Sequence, residues 1–237
     1  MRNTFAIARR ELETYFGSPI AYVVSAAMLA VFGYFFYLML YYTRSASLRP
    51  LFGGNILIIL IFVVPLLTMR LLAEEQRSGT MEILLTSPVQ DWEVVVGKFL
   101  AGFSVYVLML APTIYYPIIL EIYGSPDWGA IISLYLGLTL LGAALVSLGT
   151  FTSTLSSNQI VAAVVGVTII LVLWMIPAAG DLVGQPMSGI LQYIGLSTHF
   201  SDFAKGVIDT KGLIYYLSVT AGGLFLATRT LETRRWR

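Results

Sequence analysis

The sequence predicts an all-α integral membrane protein, on three observations: scarce charge, long apolar runs, and the uneven placement of lysine and arginine beside those runs. Of 237 residues, 57% are hydrophobic and 11% charged, and the mean hydropathy is +0.82. Soluble domains carry about 25% charged residues, so this chain lacks the charge to cover a water-facing surface. Its apolar runs are continuous, without the in–out alternation of barrel strands. There is no cysteine, which removes disulfides and thiolate metal sites together. The net charge of +1 says little about partners, and no basic patch interleaved with aromatic residues points to nucleic acid.

The first element predicted is an amphipathic helix within residues 1–19. Phe5, Ala8, Leu12, Tyr15 and Phe16 recur at helical spacing, with Arg9, Arg10 and Glu13 opposite. Asn3 or Thr4 can cap its start, and Gly17-Ser18-Pro19 ends it. That pattern suits a helix lying in the membrane interface. Residues 20–237 then form a single domain of six predicted spans: Ile20–Tyr42, Asn55–Leu72, Val94–Ile119, Gly129–Thr152, Gln159–Ile176 and Gly212–Thr228. Each approaches the roughly 20 apolar residues that a helix needs to cross a bilayer. The first run is too long for the apolar core of a cleaved signal peptide, and acids (Glu11, Glu13) precede it. The last span is the shortest and the richest in glycine. Pro65 and Pro112 fall inside spans and predict kinks, which membrane helices tolerate when neighbours satisfy the freed carbonyls.

Orientation follows from the cations. Arg2, Arg9, Arg10, Arg70, Arg77, Lys98, Arg229, Arg234, Arg235 and Arg237 share one side, against Arg44, Arg49, Lys205 and Lys211 on the other. Ten against four places both termini, the 73–93 loop and the 229–237 tail in the cytoplasm. The opposite side gathers Glu121, Asp127, Asp181, Asp202 and Asp209.

No Asp, Glu, Lys, Arg or His falls in the middle of a predicted span. Such residues usually mark ion or proton routes, so their absence argues against proton-coupled or voltage-driven movement. Arg70 and Lys98 sit one turn from span ends, where a long side chain can snorkel to water. The chain has no GxxxxGK[ST] phosphate loop. The sole histidine, His199, lies in an outer loop beside Ser197 and Thr198, and reads as a packing residue rather than a catalytic base. No catalytic residue, metal ligand or cofactor site is predicted, and any energy for moving a cargo must come from a partner.

The 73–93 loop is dense in local signals. Arg70 and Glu74 are spaced as an i,i+4 pair, and Gly79 supplies a helix stop. Thr80 can cap a new short helix with Glu82 in its first turn. Met81, Leu84 and Leu85 give that helix an apolar face, and Ser87-Pro88 ends it. Asp91 is positioned to cap the third span, and Trp92 sits at the interface. A short amphipathic helix held between two rigid spans can transmit a push from a docked subunit.

Glu74-x-x-Arg77-x-Gly79-Thr80-Met81-Glu82-x-Leu84-x-x-Ser87-Pro88 resembles the coupling-helix signature of ABC-2 type transporter permeases. Arg10-Glu11-Leu12 with Tyr15-Phe16-x-Ser18-Pro19 resembles the lead-in of the gliding-motility-associated branch. So do Leu196-Ser197-x-His199-Phe200-x-x-Phe203-x-x-Gly206-Val207-Ile208-Asp209 and Leu231-Glu232-x-Arg234-Arg235-Trp236. The resemblance implies a bacterial inner-membrane permease subunit of an ATP-driven exporter, paired as a homo- or heterodimer. Cytoplasmic ATPase subunits, which hold the ATP and Mg, would engage the interfacial helix (Arg9, Arg10, Glu13) and the coupling residues (Glu74, Arg77, Gly79, Thr80, Met81, Glu82, Leu84, Ser87, Pro88). It also implies short re-entrant helices in the outer 177–211 segment, at Met187–Ile194 and Phe200–Val207. The alternative is a non-transporting module through which ATPase strokes act on a partner protein. Small residues at Ala143 and Ser147, Ala162 and Gly166, and Gly222 and Gly223 permit close helix approach. The aromatic run Tyr34–Tyr37 is compatible with an amphipathic or lipid-linked cargo, but names none.

Overall fold

The computed structural model describes residues 2–80, 89–180, 184 and 187–235, and every regular element among them is helical. Helix α1 (Arg2–Gly17) leads through Ser18 into α2 (Pro19–Thr43), whose Pro19 occupies the first turn, where its missing amide costs nothing. A short α3 (Arg49–Phe52) precedes α4 (Asn55–Thr68) and α5 (Arg70–Ser78). Helix α6 (Asp91–Leu110) continues through a 3₁₀ turn (Ala111–Ile114) into α7 (Tyr115–Tyr123). The long α8 (Trp128–Leu155) and α9 (Gln159–Gly180) follow, then α10 (Met187–Ile194), α11 (Leu196–Ala204) and α12 (Thr210–Arg235).

Among the described residues, five helices are long and apolar enough to cross a membrane: Ala21–Thr43, Ile56–Ser78, Asp91–Tyr123, Trp128–Leu155 and Gln159–Gly180. The sixth expected span lies within α12. That helix is continuous over 26 residues, yet it is not among the five. Its serine, threonines and paired glycines dilute the apolar run.

Helix α8 is the central post. It packs along α12 over much of its length, and α4, α5, α6, α9 and α11 also lean on it. Close approach explains the small residues on these faces. A Cβ at Gly149 would lie 2.0 Å from Thr68 Oγ1, and one at Gly223 would lie 2.7 Å from Ser147 Oγ. Gly166 faces Thr152 and Pro65, whereas Gly222 has nothing near it. Helices α2 and α9 are peripheral, and bury a much smaller share of their surface than the other three apolar spans.

The two prolines have different local consequences. Pro112 turns the third span through the 3₁₀ segment; there Tyr135 Oη donates to Thr113 O (2.7 Å) and Thr113 Oγ1 to Leu110 O (2.6 Å). Pro65 is accommodated inside α4, and the break falls four residues later, at Met69. At the opposite end of the bundle from residue 2, α11 begins at Leu196, ahead of the expected Phe200. His199 packs there, stacked on Tyr215 with ring centroids 4.1 Å apart and with Nε2 2.9 Å from Tyr193 O.

Candidate coupling site

The first helix starts earlier than its capping signals indicate. Asn3 and Thr4 lie inside α1, and Asn3 Nδ2 instead donates to Glu93 Oε2 (3.2 Å) across to α6. The expected apolar face is also divided. Ala8 and Tyr15 are buried, while Phe5 and Phe16 remain exposed. Helix α1 packs on the start of α6 so closely that a Cβ at Gly97 would meet Thr4 O at 2.9 Å. The N-cap of α6 is Gln90, not Asp91. Gln90 and Glu93 form a reciprocal capping box, and Asp91 becomes the first helical residue.

Lys98 is the centre of this end. It does not snorkel: its side chain is only 2% exposed, and its Nζ lies 3.0 Å from Glu11 Oε2 and 2.9 Å from Glu75 Oε1. A buried ammonium without partners would be strongly disfavoured. Here two carboxylates, from α1 and α5, hold it on α6. One cation thereby fixes three helices.

Arg70 likewise departs from expectation. Among the described residues it forms no ion pair with Glu74; its guanidinium lies over the Tyr15 ring, 4.0 Å from the centroid. Tyr15 Oη donates to Leu67 O (2.6 Å), and burial pushes the phenol well above its ordinary pKa. This contact locks the corner of α1 against the break in the second span.

That break is closed by one hydroxyl. Ser153 Oγ on α8 accepts from Leu72 N (2.9 Å) and Ala73 N (3.0 Å), and donates to Met69 O (2.9 Å). These amides belong to the first turn of α5 and have no partner in their own helix. Gln76 Nε2 adds a bond to Thr154 O (3.2 Å). Beyond it α5 stops where the glycine predicts, with Gly79 in the left-handed region at φ 73. Ser78 Oγ and Thr80 Oγ1 are 2.8 Å apart.

These elements enclose a cleft of about 470 Å³, lined by Arg10, Glu11, Arg70, Glu74, Glu75 and Lys98, among others. Arg70 Nη2 and Glu75 Oε2 are buried and have no hydrogen-bond partner among the described residues. Of the predicted contact residues, Arg10, Glu74 and Thr80 line this cleft. Arg9 and Glu13 pair with each other on the exposed side of α1 at 3.0 Å. Arg77 is exposed near the end of α5. Met81, Glu82, Leu84, Ser87 and Pro88 lie outside the described residues. The sequence reading missed Glu11, Glu75, Lys98 and Ser153. A lysine inside an apolar run does ask for a partner, and that signal could have found the first three; nothing local marks Ser153.

A bundle with several helices long and apolar enough to cross a membrane defines a multi-pass membrane protein. The chain belongs to the family described as ABC-2 family transporter protein, which matches residues 21–200. It is therefore a membrane component of an ABC transporter, a multi-pass protein of the inner membrane. It is also similar to proteins named "Probable multidrug ABC transporter permease YbhR" from Escherichia coli strain K12 and Escherichia coli O157:H7. Each is 30% identical over 96 residues, covering 40% of this chain and 26% of the relative. The matched stretch thus spans about a quarter of the length of these curated relatives.

Proposed function

We propose that this chain is the permease subunit of an ATP-driven exporter, with six spans, cytoplasmic termini and a second permease subunit as its dimer partner. Helix α12 supplies the sixth span; packing along α8 compensates for its modest apolarity. The cation bias puts the Lys98 end in the cytoplasm, where an ATPase subunit holding ATP and Mg docks on α1, α5 and the 81–88 loop. The sequence motifs further favour the gliding-motility-associated branch.

One observation carries the docking site. A buried donor without an acceptor (Arg70 Nη2) and a buried acceptor without a donor (Glu75 Oε2) belong to residues lining the same cleft. Unsatisfied buried polar atoms are rare and call for a cause. A docked protein that offers both signs of charge supplies what each lacks. Lys98 then joins the docked surface to α6, so displacement of α1 or α5 is felt by the third span.

The test is co-purification with a candidate cytoplasmic ABC ATPase, sought first among neighbouring genes, followed by ATPase assays in liposomes with candidate cargoes. Replacing Arg77 or Glu82 with alanine should weaken association or uncouple hydrolysis while leaving the fold intact. Normal cargo-stimulated hydrolysis in both variants would remove these residues from the coupling site.

A further inference from the structure

The end of the bundle opposite Lys98 carries a second cavity, of about 560 Å³, bounded by the α3–α4 corner, α9 and α11. Its floor is apolar, formed by Leu57, Trp174 and Phe200, and its rim carries Arg49, Lys205 and Ser201. On the orientation proposed above this end faces outward, where lysine and arginine are disfavoured. Four such residues occur there (Arg44, Arg49, Lys205, Lys211), and two of them line this one cavity. Among the described residues, no acid lines it.

Neither cation is strongly committed elsewhere. Among the described residues Arg49 forms no ion pair. Lys205 meets Asp202 at 3.4 Å, with both side chains about half exposed, a geometry that contributes little. Asp127 shares a separate cavity of about 50 Å³ with Arg49, but its Oδ1 is taken up by Gly129 N and Ala130 N. The wall also includes Gly53 and Gly54. Gly54 is the N-cap of α4 and has no side chain to cover the positive end of that helix. Trp174 lies in the last turns of an apolar span, and tryptophan is favoured between headgroups and acyl chains at span ends.

The geometry points to a binding site for an anionic amphiphile: a phosphate or carboxylate head between Arg49 and Lys205, with its alkyl chain against Leu57, Trp174 and Phe200. The volume suits a headgroup and the first part of a chain, and ligand pockets combine such apolar walls with a few polar groups. The site needs no ATP and no partner subunit, so its failure would leave the transport reading standing.

Trp174 is the reporter. The full chain carrying Trp92→Phe, Trp128→Phe and Trp236→Phe is placed in phosphatidylcholine nanodiscs, then titrated with brominated phosphatidylglycerol or brominated phosphatidylcholine. Saturable quenching at low mole fraction is expected from the anionic lipid only. A second arm, in neutral detergent, adds a brominated fatty acid or inorganic phosphate, which distinguishes a free amphiphile from a bilayer lipid and a bare anion from either. Arg49→Gln with Lys205→Gln should weaken binding by at least about tenfold. Asp202→Asn, which frees Lys205, should strengthen it. Arg44→Gln with Lys211→Gln makes the same change of charge off the cavity and should leave it unchanged. Equal quenching by the two lipids overturns the proposal, as does an Arg44/Lys211 effect equal to that of Arg49/Lys205. So does tight binding of inorganic phosphate alone.

Discussion

The two ends of this bundle are held together by different forces. At the Lys98 end three helices meet on a buried cation and two carboxylates, and a broken span is closed by a hydroxyl from α8. At the other end the connections are aromatic rings and single bonds to backbone carbonyls: Tyr216 Oη to Leu196 O at 2.9 Å, Tyr215 Oη to Ile194 O, and His199 between Tyr193 and Tyr215. The charge that joins helices at the first end is buried with its partners, whereas Arg44, Arg49, Lys205 and Lys211 at the second end are all exposed. On the proposed function, stiff joints at the first end would suit the entry of force, and soft packing around open charge at the second would suit the proposed ligand.

The comparison can be broken by substitutions of graded effect. Lys98→Met should be the most damaging, since it strands two carboxylates beside an apolar side chain. Removing one partner of a buried ion pair costs about 3–5 kcal/mol, and thermal unfolding in detergent should register a large drop. If it unfolds like the parent, the clamp is not structural. Ser153→Ala should cost about 2 kcal/mol, because it leaves the Leu72 and Ala73 amides without acceptors. Faster amide exchange confined to the start of α5 would locate the loss. Tyr216→Phe removes one neutral bond at the outer end, and about 1 kcal/mol is expected from the same melting curves. An effect as large as that of Lys98→Met would erase the distinction between the ends. Arg9→Gln breaks only an exposed i,i+4 pair; no measurable change is expected, and a clear loss would move α1's outer face into the working surface.

How far the sequence could be read depended on whether a signal was local. The five apolar spans, the turn at Pro112 and the stop at Gly79 follow from the neighbouring residues alone, and all three stand in the fold. The cap of α6 was placed one residue late, because Asp91 is a strong capping type while Gln90 acts only through its reciprocal pairing with Glu93. Arg70 was assigned to Glu74 by helical spacing, but tertiary packing brought Tyr15 over it. The charge clamp joins positions 11, 75 and 98, and no periodicity connects them. Of the residues that line the cleft, Arg10, Glu74 and Thr80 are ones the sequence singles out. Those that tie helices together it does not.

The hydroxyl of Ser153 also has a bearing on biogenesis. Its partners Leu72 and Ala73 are synthesised some eighty positions before it. Until α8 has been threaded into the membrane, the second span carries two bare amides and an open carbonyl at its break. That segment must therefore wait at a hydrated depth, or in the shelter of the insertion machinery. The Lys98 end is finished only when the fourth span arrives, so a chain stalled before residue 153 would leave the joint between α4 and α5 open.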